Sequence, residues 1–145
     1  MTISNSPDKF LGIQIKRQHG ILFLNQESYV KKILEKFRME DAKPVTTPME
    51  VVTDDESNDQ IKIKYPYLEL IGNLMYLTNK TRPDISYAVN FCSRRMEEPK
   101  TRDVKNLKRI LIYLVSSKED GICFRKTSEC EKLIAYCDAD FAGDV

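Results

Sequence analysis

The sequence predicts an α+β fold, and three observations carry that expectation. Two apolar stretches near the N-terminus, FLGIQI and ILFLN, alternate with a period of two and flank KRQHG. The middle of the chain shows helical periodicity in four stretches. Near the C-terminus, GICFRK and LIAYCDA read as strands joined by a short polar turn. The expected architecture is an N-terminal β-hairpin, a helical middle of about four helices, and a C-terminal β-hairpin.

The first hairpin is expected over Phe10 to Asn25. Leu11, Ile13 and Ile15 share one face of the first strand, and Gly20 supplies a positive φ at the turn. Gly12 in mid-strand would let a backbone or a ligand approach closely. The spacing alone favours a plain core hairpin with a strand glycine.

Gln26 to Met39 reads as the first helix. Tyr29, Val30, Ile33, Leu34 and Phe37 fall on one face, with Lys31, Lys32, Glu35 and Lys36 elsewhere. Beyond it, Pro44 and Pro48 break any helix, and Asp54, Asp55, Glu56 and Asp59 keep the chain solvated. Residues 44–64 therefore read as a linker between an N-terminal unit, 1–43, and a helical unit, 65–118, with 119–145 as a third section.

YPYLELIGNLMYLTN is the second helix. Leu68, Leu70, Ile71, Leu74, Met75 and Leu77 leave it little polar surface, which predicts a central position. In TRPDISYAVNFCSRRM, Pro83 suits the first turn of a third helix and Asp84 its positive end. Arg82, at that helix start, reads as a solvated basic residue. Thr101 or Asp103 can cap a fourth helix, where Val104, Leu107, Leu111 and Leu114 make an apolar seam. Lys105, Lys108 and Arg109 share its other side. They could neutralise phosphates, although a solvated helix face explains them as well.

The overall charge excludes little. The chain of 145 residues carries 23 Lys plus Arg and 22 Asp plus Glu, a net charge of +1. The distribution is uneven. Lys9 to Lys36 holds six basic and two acidic residues, and Lys100 to Lys118 six and one, while Glu129 to Val145 holds five acids and one lysine. No apolar run reads as a signal peptide or is long enough to span a bilayer. The four cysteines, Cys92, Cys123, Cys130 and Cys137, read as free thiols in an intracellular, reducing compartment. The last three lie seven residues apart and far from His19, the only histidine, which is not the spacing of a structural zinc site. There is no phosphate loop, dinucleotide fingerprint or nucleophilic triad.

YCDADFAGD is the last chemical feature. Asp138 closes an otherwise apolar strand, and such a carboxylate suits Mg²⁺. An acidic exposed end is an equal reading from the residues alone. Two-metal hydrolysis needs several carboxylates from different elements, and one strand cannot supply them.

FLGIQI, NQESYVKKILEKFRM, AKPVTTPM, YLELIGNLMYL, TRPDISYAV, LKRILIYL and YCDADFAGD, in that order, resemble a copia-type retrotransposon Pol polyprotein. The resemblance runs from about Lys9 onward. It covers the thumb and connection of a reverse transcriptase, an RNA-directed DNA polymerase, into the start of its RNase H.

It implies a primer-grip hairpin with Phe10, Leu11 and Gly12 near the primer 3′ end. It also implies a thumb-like helical region whose Lys105, Lys108 and Arg109 contact the nucleic-acid backbone, and an RNase H-like sheet begun but incomplete, with Asp138 as its first metal-binding aspartate. The implied partners are an RNA–DNA hybrid or template–primer duplex and the rest of the polyprotein, with no membrane. Mg²⁺ is implied for the parent enzyme and no cofactor for this fragment, which would not be catalytic alone. The family has a His-Trp pair where this chain has Asp103 and Val104. The alternative is a host-retained, non-enzymatic module that binds nucleic acid or protein.

Overall fold

A computed structural model describes residues 7–50, 65–126 and 135–136. Its elements are strands β1 (Lys9–Phe10), β2 (Ile13–Gln18) and β3 (Ile21–Asn25), and helices α1 (Glu27–Lys36) and α2 (Tyr67–Thr78). A 3-10 turn (Pro83–Ile85), α3 (Ser86–Ser93), α4 (Thr101–Ser116) and strand β4 (Gly121–Arg125) complete them. The four strands form one antiparallel sheet in the order β1-β2-β3-β4. The α+β expectation holds, with an N-terminal hairpin, four helices and a C-terminal strand.

FLGIQI is not one strand, however. The chain reverses at Leu11 and Gly12, whose φ angles are 46° and 80°, so that Phe10 pairs with Ile13. His19 and Gly20, at 48° and 76°, make the second reversal, between Gln18 and Ile21. Both loops have two residues with positive φ, the geometry that matches the natural twist of paired strands. Leu11 therefore leaves the face it was expected to share with Ile13 and Ile15 and sits at an exposed tip.

GICFRK also finds a different neighbour. β4 pairs along its length with β3, from Gly121 opposite Asn25 to Arg125 opposite Ile21. Gly121 permits this approach, because a Cβ there would lie 2.1 Å from the Leu24 carbonyl oxygen. Of the strand expected after β4, only Ala135 and Tyr136 are among the described residues; neither is in a strand and Tyr136 is 93% exposed, while Asp138 lies outside them.

α1 opens with help from the sheet: the Ser28 backbone N–H donates to Gln14 Oε1 at 2.9 Å, satisfying one of the unpaired donors of the helix start. It closes with Arg38 in the left-handed region (φ 55°). Met39 N–H bonds the Leu34 carbonyl at 2.9 Å and Arg38 N–H that of Glu35 at 3.1 Å, which is a Schellman closure. α4 opens with the Lys100 N–H donating to the Asp103 carboxylate at 2.8 Å. This makes Asp103 a buried first-turn acceptor, with Lys100 rather than Thr101 preceding the helix.

The helices share one core. Val30, Ile33 and Leu34 of α1 join Leu70, Ile71, Leu74 and Leu77 of α2, Ala88, Val89 and Cys92 of α3, and the expected seam of α4. Phe37 and Tyr29 pack at its margin. α2 is central on that side only. Leu68 and Met75 face solvent, with Gly72, also exposed, between them along the same stripe. Among the described residues no helix is long and apolar enough to cross a membrane.

Candidate nucleic-acid interface

The residues proposed from sequence fall into two groups, and the structure separates them along α2. The first is the hairpin tip. Phe10 and Leu11 are 60% and 72% exposed. The Tyr76 hydroxyl of α2 donates to the Leu11 carbonyl and so fixes the turn on the helix. A Cβ on Gly12 would lie 2.9 Å from that same hydroxyl oxygen. Gly12 is thus a close-approach glycine, as its residue type suggested, but the approaching group is Tyr76 and the position is a turn. Tyr76 is itself braced. Tyr29 meets it edge-on at 5.0 Å between centroids and donates to Asn73 Oδ1 at 3.0 Å.

The second group lies on α4. Lys105 and Lys108 are exposed. The Lys108 ammonium stands 5.2 Å from the centroid of the Tyr65 ring, just ahead of α2. Arg109 is half-buried and engaged: it pairs with Glu50 and donates to Thr47 Oγ1 at 3.1 Å. It therefore ties the segment after α1 to α4. From Tyr65 to Tyr76 is eleven residues, roughly 16 Å along a helix axis. The tip and Lys108 mark opposite ends of α2.

A third polar cluster was not anticipated. Arg82 is 1% exposed, not solvated. Its Nε and one Nη donate to both oxygens of Asp84, at 2.9 and 2.6 Å. The Nη groups also donate to the Ser117 carbonyl at 2.7 Å and to Ser117 Oγ at 2.8 Å. The Tyr113 hydroxyl donates to Asp84 at 3.0 Å, and the guanidinium lies 5.8 Å from the centroid of the Tyr113 ring. Arg82 thus caps the C-terminal end of α4, where orphan carbonyls and the helix dipole both favour a cation.

Burial pushes the Asp84 carboxyl up, but hydrogen bonds from Arg82 and Tyr113 and the Arg82 charge outweigh it and hold the pKa below the ordinary value. Asp84 accordingly serves Arg82 rather than the start of a regular helix, and Pro83 opens a 3-10 turn. The cluster lines a cleft of about 340 Å³ together with Phe23, Thr81 and Gly121. The available signal was the Arg-Pro-Asp sequence itself; the Ser117 carbonyl, 35 residues away, leaves no local trace.

Asp138 lies outside the described residues. Among the described residues no group of His, Cys, Asp and Glu could hold a metal ion.

No family model and no solved structure matches the chain. It is 41% identical over 138 residues to an uncharacterized mitochondrial protein of Arabidopsis thaliana, a match covering 92% of this chain and 55% of that protein. It is 44% identical over 137 residues to the retrovirus-related Pol polyprotein from transposon RE1 of Arabidopsis thaliana, covering 93% of this chain and 9% of the polyprotein. The corresponding polyprotein from transposon TNT 1-94 of Nicotiana tabacum is 37% identical over 149 residues, covering 94% and 11%. The chain thus spans about half the length of the first relative and about a tenth of each polyprotein. Its homologues include retrotransposon Pol polyproteins, matched over most of its length.

Proposed function

We propose that this chain is the template–primer-holding segment of a retrotransposon reverse transcriptase, running into the start of its RNase H. The observation that carries the reading is the tip at Leu11 and Gly12. Two large apolar side chains stand exposed on a turn that Tyr76 pins to α2. A rigid apolar tip suits contact with sugars and base edges near a primer end. Lys108, at the other end of α2, and Lys105, exposed on the same helix α4, suit phosphates. The roughly 16 Å between the tip and Lys108 corresponds to about five nucleotide steps of one strand.

In this reading Arg109 supports the surface through Glu50 and Thr47. Asp138 would supply the first carboxylate of the RNase H metal site in the parent enzyme. Mg²⁺ bound there would stabilise the attacking and leaving oxygens of phosphodiester hydrolysis.

The test is fluorescence anisotropy of a labelled RNA–DNA hybrid titrated with the purified chain at several salt concentrations. Affinity should fall steeply with salt. Replacing Lys105 and Lys108 by Ala should reduce the logarithmic slope by about 0.9 for each phosphate no longer neutralised. Phe10→Ser with Leu11→Ser should weaken binding without changing that slope. An affinity independent of salt would overturn the reading.

A further inference from the structure

We propose that Thr47 is a phosphorylation site, modified by a proline-directed protein kinase, and that Arg109 holds the phosphate. The segment after α1 reads VTTPME over residues 45–50. Thr47 is exposed, and residues 42–50 hold neither helix nor strand. The residue before a proline is biased toward extended backbone, the form in which a kinase groove takes its substrate. Among the described residues Thr47 is the only serine or threonine that precedes a proline. Ser6, ahead of Pro7, lies outside them.

The receiving group is already in place. Arg109 Nη2 donates to Thr47 Oγ1 at 3.1 Å, and the other terminal nitrogen pairs with Glu50. Nε shares an edge of the guanidinium with Nη2. It is buried, yet it donates to no acceptor among the described residues. A purely structural tie between α4 and this segment leaves that donor empty, because one hydroxyl oxygen fills only one prong. A phosphate offers three acceptor oxygens, and the Nε–Nη2 edge is a fork that grips two of them at once. Arg82 shows the same edge filled, by the two oxygens of Asp84. In the modification itself, the γ-phosphorus of ATP bonds to Thr47 Oγ1 and its bond to the bridging oxygen breaks. ADP leaves, and the hydroxyl proton passes to the catalytic base of the kinase.

The phosphate brings a charge of about −1.5 to −2 at pH 7. Lys105 lies four residues before Arg109 and is its neighbour on the surface of α4, while Lys108 directly precedes it. Both lysines are exposed. A phosphate gripped by Arg109 therefore offsets the positive charge of the side of α4 proposed to meet the nucleic-acid backbone. Phosphorylation should release the hybrid. That effect rests on the proposed function, whereas the site on Thr47 stands on Arg109 alone.

The test treats the full chain, carrying Ser6→Ala, with a mitogen-activated protein kinase, ATP and Mg²⁺. Mass spectrometry should place one phosphate on Thr47; a chain without phosphate there would overturn the proposal. Phosphorus NMR then follows the titration of that phosphate. A free phosphothreonine loses its second proton near pH 6. In the folded chain the midpoint should lie at least about 0.5 lower than in the same chain unfolded in urea, because an adjacent cation favours the dianion. The Arg109 Nε–H resonance should move downfield as its donor gains an acceptor. Equal midpoints, or an unmoved Nε–H, would overturn the assignment to Arg109. Hybrid affinity, read by anisotropy at low salt, should fall at least about fivefold on phosphorylation. Equal affinity before and after would overturn the release of hybrid. Failure of the unmodified chain to bind hybrid would instead end the proposed function, and the phosphorus titration would still decide the site.

Discussion

Arg82 and Asp84, two residues apart across Pro83, meet as a fork: Nε and an Nη of the arginine each donate to a different carboxylate oxygen, at 2.9 and 2.6 Å. The arginine is buried, while the aspartate side chain retains 37% of its exposure. The same guanidinium closes α4 through Ser117, so one side chain joins the entry of α3 to the end of α4.

Removing that guanidinium should be costly. Arg82→Met leaves the Ser117 carbonyl without its cap and the Asp84 carboxylate without its cation. Breaking a buried pair from one side typically costs about 3–5 kcal/mol. Arg82→Lys keeps the charge but loses the planar fork, and should recover only part of the loss. Asp84→Asn should cost less, about 1–2 kcal/mol, because solvent reaches that partner. Urea unfolding of the three variants checks the order; equal losses would contradict it.

The pair also sets a pH dependence. The folded pKa of Asp84 is depressed below its unfolded value, which lies near 3.9. The stability it contributes is therefore complete above about pH 5 and is lost as pH falls through the folded pKa. The difference in unfolding free energy between the native chain and Asp84→Asn should be constant from about pH 5 to 8 and shrink below about pH 4. A difference that grew on acidification would exclude the fork as its source.

Gly121 and Gly20 should respond differently to the same change. Gly121→Ala drives a Cβ into the Leu24 backbone, which cannot move without opening the β3–β4 pairing. The expected result is loss of β4 protection in hydrogen exchange and more than about 3 kcal/mol of destabilisation. At Gly20 nothing lies within 4 Å, so Gly20→Ala meets only the penalty of its φ of +76°, about 1–2 kcal/mol. Comparable losses would mean that β4 does not approach β3 as described.

Periodicity and helix-start signals located the four helices of the described residues and named most of the α1 and α4 residues that enter the core, because an amphipathic face is a local pattern; Ile110 of α4, fully buried, is not among them. Composition located the turn at Gly20, because positive φ is a property of residue type, whereas Gly12, expected in mid-strand, also sits in a turn. The ordered motifs identified Pol polyproteins as relatives, and the comparisons agree. Other features were decided by tertiary structure. FLGIQI broke at Leu11 because a turn pinned by Tyr76 outcompetes a straight strand. Leu68 and Met75 faced solvent because α2 is covered on one side only. Arg82 was buried because the end of α4, distant in sequence, supplies the acceptors that offset the cost of burying a guanidinium. β4 joined β3 because Gly121 lets two backbones meet. Each depends on partners far along the chain. Local pattern determines which residues form an element; long-range complementarity determines which groups those elements bring together.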